Sequence, residues 1–297
     1  MSISYQACLS KREEIIPPQT DIFRVIDGIG DGIPDLFIDK LGDRLLVSTR
    51  DRAIPNNLVN ELEALDVPVF HKRLEQDQKK APVQILGPSL PLQFVVHEQG
   101  VKFKLDMTAG YSQGIFLDQR DHRQQVRRRA LPGTRVLNTF AYTGAFSVYA
   151  ALGGAITTTL DLARPCLDWA RENFSLNGID PESQYFCKGD TLHWLERFAR
   201  QGRRFHGIIL DPPTFSRDDK GRVFRVESHY DELVALAVNC LEPGGWILCT
   251  CNCRKLSHQD FKKMVASATR GARLTHDSMP GDFTGEDYLK RLWVDFA

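Results

Sequence analysis

Three aspartates end apolar or β-branched runs in the second half of the chain. Asp161 follows Ile156-Thr157-Thr158-Thr159-Leu160, Asp190 follows the run 184–188 and Gly189, and Asp211 follows Phe205-His206-Gly207-Ile208-Ile209-Leu210. Ahead of them Arg135-Val136-Leu137 reads as a buried parallel strand, and Phe140-Ala141-Tyr142-Thr143-Gly144 turns the chain into a helix over 145–152. In an open α/β sheet the crevice beyond the carboxyl ends of the strands takes the ligand, and a glycine in the first turn lets the backbone approach it closely. An acid ending the second strand, here Asp161, is placed to accept hydrogen bonds from both hydroxyls of a ribose. That predicts a nucleoside cofactor. The turn keeps a single glycine where a dinucleotide fingerprint has three, and Phe140 and Tyr142 would obstruct a pyrophosphate. S-adenosyl-L-methionine has a ribose and no phosphate, so it fits better.

The third acid opens Asp211-Pro212-Pro213-Thr214-Phe215. Prolines at a strand end cannot donate to the ladder, so they stop the sheet and stiffen a loop whose free carbonyls can hold a planar base. A plain strand terminator is the bland alternative.

Four strings, QGIFLDQRDHR (Gln113 to Arg123), LNTFAYTGAFSVYAALGGA (Leu137 to Ala155), LDPPTFS (Leu210 to Ser216) and DYLKRL (Asp287 to Leu292), resemble the RlmI/RlmK-type methyltransferases, which modify bases of large-subunit ribosomal RNA. Thr20 to Val47 resembles the small domain that precedes their catalytic domain, and the likeness runs from about Thr20 to the C-terminus. The resemblance implies an α/β fold: a doubly wound, Rossmann-like, seven-stranded class I methyltransferase domain preceded by a small α+β domain. It implies S-adenosyl-L-methionine as cofactor and RNA, large-subunit rRNA, as partner. Its candidate cofactor residues are Asn138, Phe140, Tyr142, Thr143, Gly144, Asp161, Leu162, Asp190, Thr191 and Asp211, with Phe116, Gln119 and Arg120 on a segment that closes over the cofactor. For Asp190 two uses stand together, the adenine amino group and an N-cap for the helix from Thr191. For the segment around Asp118 a capped helix start is the alternative. Asp211 and Pro212 are the candidate residues at the reacting centre.

The chemistry divides on one segment, Cys249-Thr250-Cys251-Asn252-Cys253. Carbon-5 of cytosine is a poor nucleophile until a cysteine thiolate adds beside it, whereas guanine N7 already has a lone pair. Aligning Pro243-Gly244-Gly245 and Phe261 without gaps puts Asn252 where the cytosine-modifying members carry their cysteine, and the guanine-N7 branch has asparagine there. Asparagine cannot be that nucleophile. Cys251 or Cys253 serves only after a one-residue shift, as at a strand-end bulge, and small inert core thiols are the competing reading. Methyl transfer itself is an in-line displacement governed by positioning and exclusion of water, and it requires no metal.

The elements that carry these residues read in order. Residues 1–19 look like a flexible lead-in, 20–99 a small α+β domain and 100–297 the methyltransferase domain, with the boundary near Glu98 to Gly100. Short strands around 23–26, 36–38 and 45–49 alternate with turns in which Asp27, Asp31, Asp35, Asp39 and Asp43 recur. Turn chemistry explains them better than calcium, because no loop has the ligand pattern of an EF-hand. A helix is expected over 55–65, strands over 68–72, 93–97 and 101–105, and a loop over 76–82. Further on, helices are expected over 166–176, 191–200, 228–241 and 257–269, a turn at Pro243-Gly244-Gly245, a strand over 246–251 and closing strands over 272–275 and 288–296.

At 297 residues, 42% hydrophobic and 26% charged, the chain has the composition of an ordinary globular protein. It has no apolar run long enough to span a membrane and no secretory signal, so a cytoplasmic location is expected. Seven cysteines, an odd number without CxxC pairs, argue against a disulfide framework or a zinc site, and no metal is expected. A formal net charge of zero exerts no global pull on RNA. Two local runs can contact phosphates: Arg120, Arg123, Arg127, Arg128 and Arg129, and then Arg217, Lys220, Arg222 and Arg225. The family's usual upstream RNA-binding domain has no counterpart in this length, so something else is expected to position the RNA.

Overall fold

The computed structural model describes residues 3–74, 80–217, 221 and 223–297. They divide into two compact units, Met1–Arg120 with Met279–Glu286, and Asp121–Ser278 with Asp287–Ala297. The first contains α1 (Tyr5–Glu13), β1 (Ile22–Asp27), β2 (Leu36–Leu41), β3 (Arg44–Thr49), α2 (Asn56–Glu63), β4 (Val69–Arg73), β5 (Val83–Leu86), β6 (Gln93–Glu98) and β7 (Val101–Asp106). Strands β1 to β5 form a mixed sheet in chain order, in which only β3 and β4 pair in parallel, and β6 and β7 form a separate hairpin. The expected boundary at Glu98 to Gly100 falls on the turn of that hairpin, and the division by contacts comes after Arg120.

Residues 5–13 are helical where a flexible lead-in was expected. Ser4 caps the helix, and Glu61 Oε2 accepts from Tyr5 N at 2.7 Å and from Ser4 Oγ at 3.0 Å. That partner lies 56 residues from Tyr5 in the chain, beyond the reach of any local pattern. The recurring aspartates are each matched by an arginine: Asp31 by Arg12, Asp27 and Asp39 by Arg24, Asp43 by Arg44, and Asp35 by Arg50.

The second unit is entered through α3 (Arg120–Arg129), followed by β8 (Arg135–Thr139), α4 (Ala145–Leu152), β9 (Ile156–Asp161), α5 (Arg164–Leu176), β10 (Tyr185–Lys188), α6 (Thr191–Arg200), β11 (Phe205–Leu210), β12 (Phe215–Arg217), β13 (Val223–Arg225), α7 (Val226–Val238), β14 (Leu241–Cys251), α8 (His258–Ala268), β15 (Arg273–His276) and β16 (Lys290–Asp295). Its seven-stranded sheet has the order β10-β9-β8-β11-β14-β16-β15, with β16 antiparallel to both neighbours and the others parallel. Successive residues of each strand feed opposite faces. Val136, Ile209 and Leu248 pack with Val126 and Ala150 on one side, whereas Leu137, Leu210 and Cys249 pack with Leu195, Leu233 and Phe261 on the other. Both faces are covered, which is why the strands read as continuous apolar or β-branched runs. Strand β14 runs from Leu241 through the expected turn at 243–245. Its register against β11 shifts between Phe205 and Gly207, and Gly244 takes φ +72°.

The first basic run is only partly open: Arg123 is buried, Arg129 pairs with Asp295 and lies 4.2 Å from the centre of the Trp293 ring, and Arg120 is bound within the first unit, whereas Arg127 is half-buried and Arg128 exposed. Of the second run, Lys220 and Arg222 lie outside the described residues. No described helix is long and apolar enough to cross a membrane.

Two buried groups give tests. In the first unit Arg120 Nη2 and Nη1 donate to Asp282 at 2.6 and 3.2 Å, and Asp282 also accepts from Arg24 N at 2.9 Å. Asp282→Ala would leave a buried guanidinium without its counter-charge, an expected loss of about 3–5 kcal/mol in chemical denaturation. In the second unit His122 is fully buried 3.8 Å from Asp277, and burial, with Arg291 and Arg123 adding to it against Asp277, pushes its pKa down to about 4. The unfolded imidazole, with its ordinary pKa near 6.5, takes a proton that the folded one refuses. Stability is therefore expected to fall as pH drops from about 6.5 toward 4. Denaturation curves at pH 7 and 5 should show a smaller loss for His122→Phe.

Candidate active site

The switch point of the sheet lies between β8 and β11, where the chain reverses after building outward through β9 and β10. There the candidate residues of the second unit gather at the carboxyl ends of the parallel strands. After β8, Phe140 and Tyr142 both adopt φ +50° and Gly144 φ +75°. Left-handed backbone costs a bulky residue about 1–3 kcal/mol, and such strain persists only where the surroundings enforce it. The enforcing bonds are visible. Ala141 N donates to Leu160 O at 3.0 Å, Tyr142 N to Asp161 Oδ2 at 2.8 Å, and Asn173 Nδ2 to Thr143 O at 2.9 Å.

Asp161 ends β9 and ties two turns together, because its Oδ1 also accepts from Ala163 N at 2.8 Å. Burial raises its pKa, opposed by the backbone N–H groups of Ala163, Tyr142 and Leu162. Leu162, half-buried, thus supplies a backbone donor to the same carboxylate. Asp190 follows β10 and caps α6, its Oδ1 accepting from His193 N at 2.9 Å, with Thr191 buried behind it.

Two expectations take a different form. Gly144 was expected to admit a ligand to the backbone, yet a Cβ there would lie 2.7 Å from Ala170 Cβ. The glycine lets α4 pack against α5. Asn138 is buried, and its Nδ2 donates to Ser147 Oγ at 3.0 Å, which binds β8 to α4.

After β11, Asp211 accepts from the Thr250 hydroxyl of β14, Pro212 is buried and Pro213 is exposed. Beneath them the buried Tyr230 hydroxyl sits 3.0 Å from Leu210 O and 2.9 Å from Thr250 O, so one side chain of α7 joins the ends of β11 and β14. Nothing in the sequence distinguished Tyr230 or Thr250 from other core positions. Thr214 Oγ1 reaches Asn252 Oδ1 at 3.4 Å. Asn252 is exposed, whereas Cys251 and Cys253 are buried in the core cluster, and burial pushes the Cys251 thiol up to about 12. Phe116, Gln119 and Arg120 belong to the first unit, where the terminal guanidinium nitrogens of Arg120 bond Asp282.

A family model of S-adenosylmethionine-dependent methyltransferases matches residues 83–276. The chain belongs to that family. Ribosomal RNA large subunit methyltransferase I of Shewanella denitrificans is 34% identical over 90% of this chain and 70% of its own length, and that of Erwinia tasmaniensis 33% identical over 85% and 66%. Among solved structures, SMU.776, described as a methyltransferase complexed with SAH, is 26% identical with a TM-score of 0.86, covering 99% of this chain and 83% of that one. An S-adenosylmethionine-dependent methyltransferase structure from Streptococcus mutans is 25% identical with a TM-score of 0.83, over 99% and 82%.

The cofactor of this methyltransferase is S-adenosylmethionine. The donor set of the second unit suits it, with acceptors at the ends of β9 and β10 for hydroxyl and amino groups and a turn whose lone glycine is taken up by helix packing. Asp161→Ala removes both the proposed ribose acceptor and the tie between two turns. It is expected to weaken S-adenosylhomocysteine binding at least tenfold by calorimetry, about 1.4 kcal/mol, with a lowered Tm. Unchanged affinity would contradict the assignment.

Proposed function

We propose that this methyltransferase acts on a base of large-subunit ribosomal RNA, and that the acceptor is a ring nitrogen of the guanine N7 kind. The named relatives support the RNA substrate. The observation that carries the choice of atom is the end of β14, where an exposed Asn252 stands between two buried thiols. Attack on cytosine C5 needs an accessible thiolate; the Cys251 thiol, pushed up to about 12, supplies almost none at neutral pH, and Cys253 is buried.

In this reading Asp161 and Asp190 hold the nucleoside end of the cofactor, with Asn138, Phe140, Tyr142, Thr143, Gly144, Leu162 and Thr191 forming the wall around it. Phe116, Gln119 and Arg120 are assigned to the same cofactor by resemblance. Asp211, fixed by Thr250, and the rigid Pro212-Pro213 turn orient the target ring. The bound cofactor supplies an activated methyl group on a sulfonium. The protein aligns the ring lone pair with it and keeps water away, and no covalent bond to the enzyme is made. RNA is met by the β12–β13 hairpin next to this loop, where Arg225 lies 5.1 Å from the centre of the exposed Phe215 ring and Arg217 is exposed. An aromatic face backed by a guanidinium, with a second cation beside it, is a platform for an unstacked base and its phosphate.

Nucleoside mass spectrometry of large-subunit rRNA from a strain lacking the enzyme, before and after incubation with protein and cofactor, tests this. One added methyl on a purine nitrogen is expected, retained by Cys251→Ala and Cys253→Ala. A 5-methylcytosine product lost in either variant, with cofactor binding intact, would contradict it.

A further inference from the structure

Outside the candidate active site, three side chains that no sequence spacing associates come together in the second unit. His258 is the first residue of α8, His276 the last of β15, and Asp287 lies just ahead of β16. One donor atom of each lies within 4.8 Å of the other two. His258 Nε2 is 3.7 Å from Asp287 Oδ2, and the two imidazole centres are 5.7 Å apart with 52° between their planes. Around a tetrahedral ion with bonds near 2.0–2.1 Å, donor atoms lie about 3.3 Å apart and two ligated imidazole centres about 5 Å apart. Small side-chain rotations close the set.

We propose that His258, His276 and Asp287 form a binding site for a divalent transition-metal ion, zinc by ligand chemistry, with solvent at the remaining position.

The scaffold of the site is already ordered. Arg291, whose side chain is 1% exposed, donates from Nη1 to Asp287 Oδ1 at 2.8 Å and from Nε to Asp277 O at 2.8 Å. One buried guanidinium therefore fixes the carboxylate of one ligand, leaves its Oδ2 toward His258, and anchors the backbone next to His276. Such outer partners orient a ligand set before the ion arrives. His276 is exposed. His258 Nε2 lies 2.9 Å from Asp287 O, so in the metal-free state it carries the proton and donates. Binding moves that proton to Nδ1 and puts the ion in its place. The bound ion would link α8, β15 and the lead into β16, stabilising the far edge of the sheet by mass action.

Titration of the metal-stripped full chain with Co2+ tests the site. The seven cysteines are the competing ligands, and thiolate coordination announces itself by a sulfur-to-cobalt charge-transfer band in the near ultraviolet. The expected result is one equivalent bound with visible d–d bands and no charge-transfer band, weakened at least tenfold in His258→Ala and in His276→Ala. With Zn2+ a raised Tm is expected that both variants lose. As a check that needs no variant, Cu2+ loaded at one equivalent should give an electron paramagnetic resonance spectrum split by two nitrogens. Absence of binding, a thiolate band, or affinity unchanged in both variants would overturn the site.

Discussion

The carboxylate of Asp161 accepts a backbone N–H from Tyr142 on one side and from Ala163 on the other, so the turns after β8 and β9 are held as one body. This constraint allows Phe140 and Tyr142 to stay in left-handed backbone, and it places the acid at the switch point of the sheet. Each carboxylate oxygen has further lone-pair capacity. The group that would receive a ribose is thus the group that shapes the wall of its pocket. In the proposed assignment affinity and local order are coupled at one residue, and the small-residue contact of Gly144 with Ala170 keeps α4 close to α5.

A parallel arrangement operates at the ends of β11 and β14. The Tyr230 hydroxyl and the Thr250 hydroxyl occupy the gap between the two strands, and Asp211 is held by the second of them. The stiff proline turn and the asparagine at the end of β14 are therefore parts of one rigid edge, with the cysteines turned inward beneath it. In the proposed reading this edge offers orientation to a target that already carries a lone pair.

The seven-stranded sheet was legible because each buried parallel strand is a short β-branched or apolar run and each carboxyl end carries punctuation: Phe140 to Gly144, Asp161, Gly189-Asp190, Asp211-Pro212-Pro213. The role of Asp190 as an N-cap was legible for the same local reason. What escaped were features made by distant partners. Helix α1 is capped from α2, the Arg120–Asp282 pair spans 162 residues, and Asn173 reaches back 30 residues to the turn it supports. The packing of Gly144 against Ala170 was not legible, since a glycine needed for helix packing looks, in sequence, like one needed for a ligand. Which arginines of α3 face inward was not legible, because sequence does not say which side of a helix is covered: Arg120 and Arg123 are buried and Arg128 is exposed.

In the proposed site the adenosyl group sits at the joined turns after β8 and β9. Backbone amide chemical shifts of the labelled full chain, followed by NMR as S-adenosylhomocysteine is added, test it directly. Saturable shifts centred on Tyr142, Leu162, Ala163 and Thr191 are expected, with the amides of β15 unmoved. Shifts that leave Tyr142 and Ala163 unchanged while perturbing another region would contradict it.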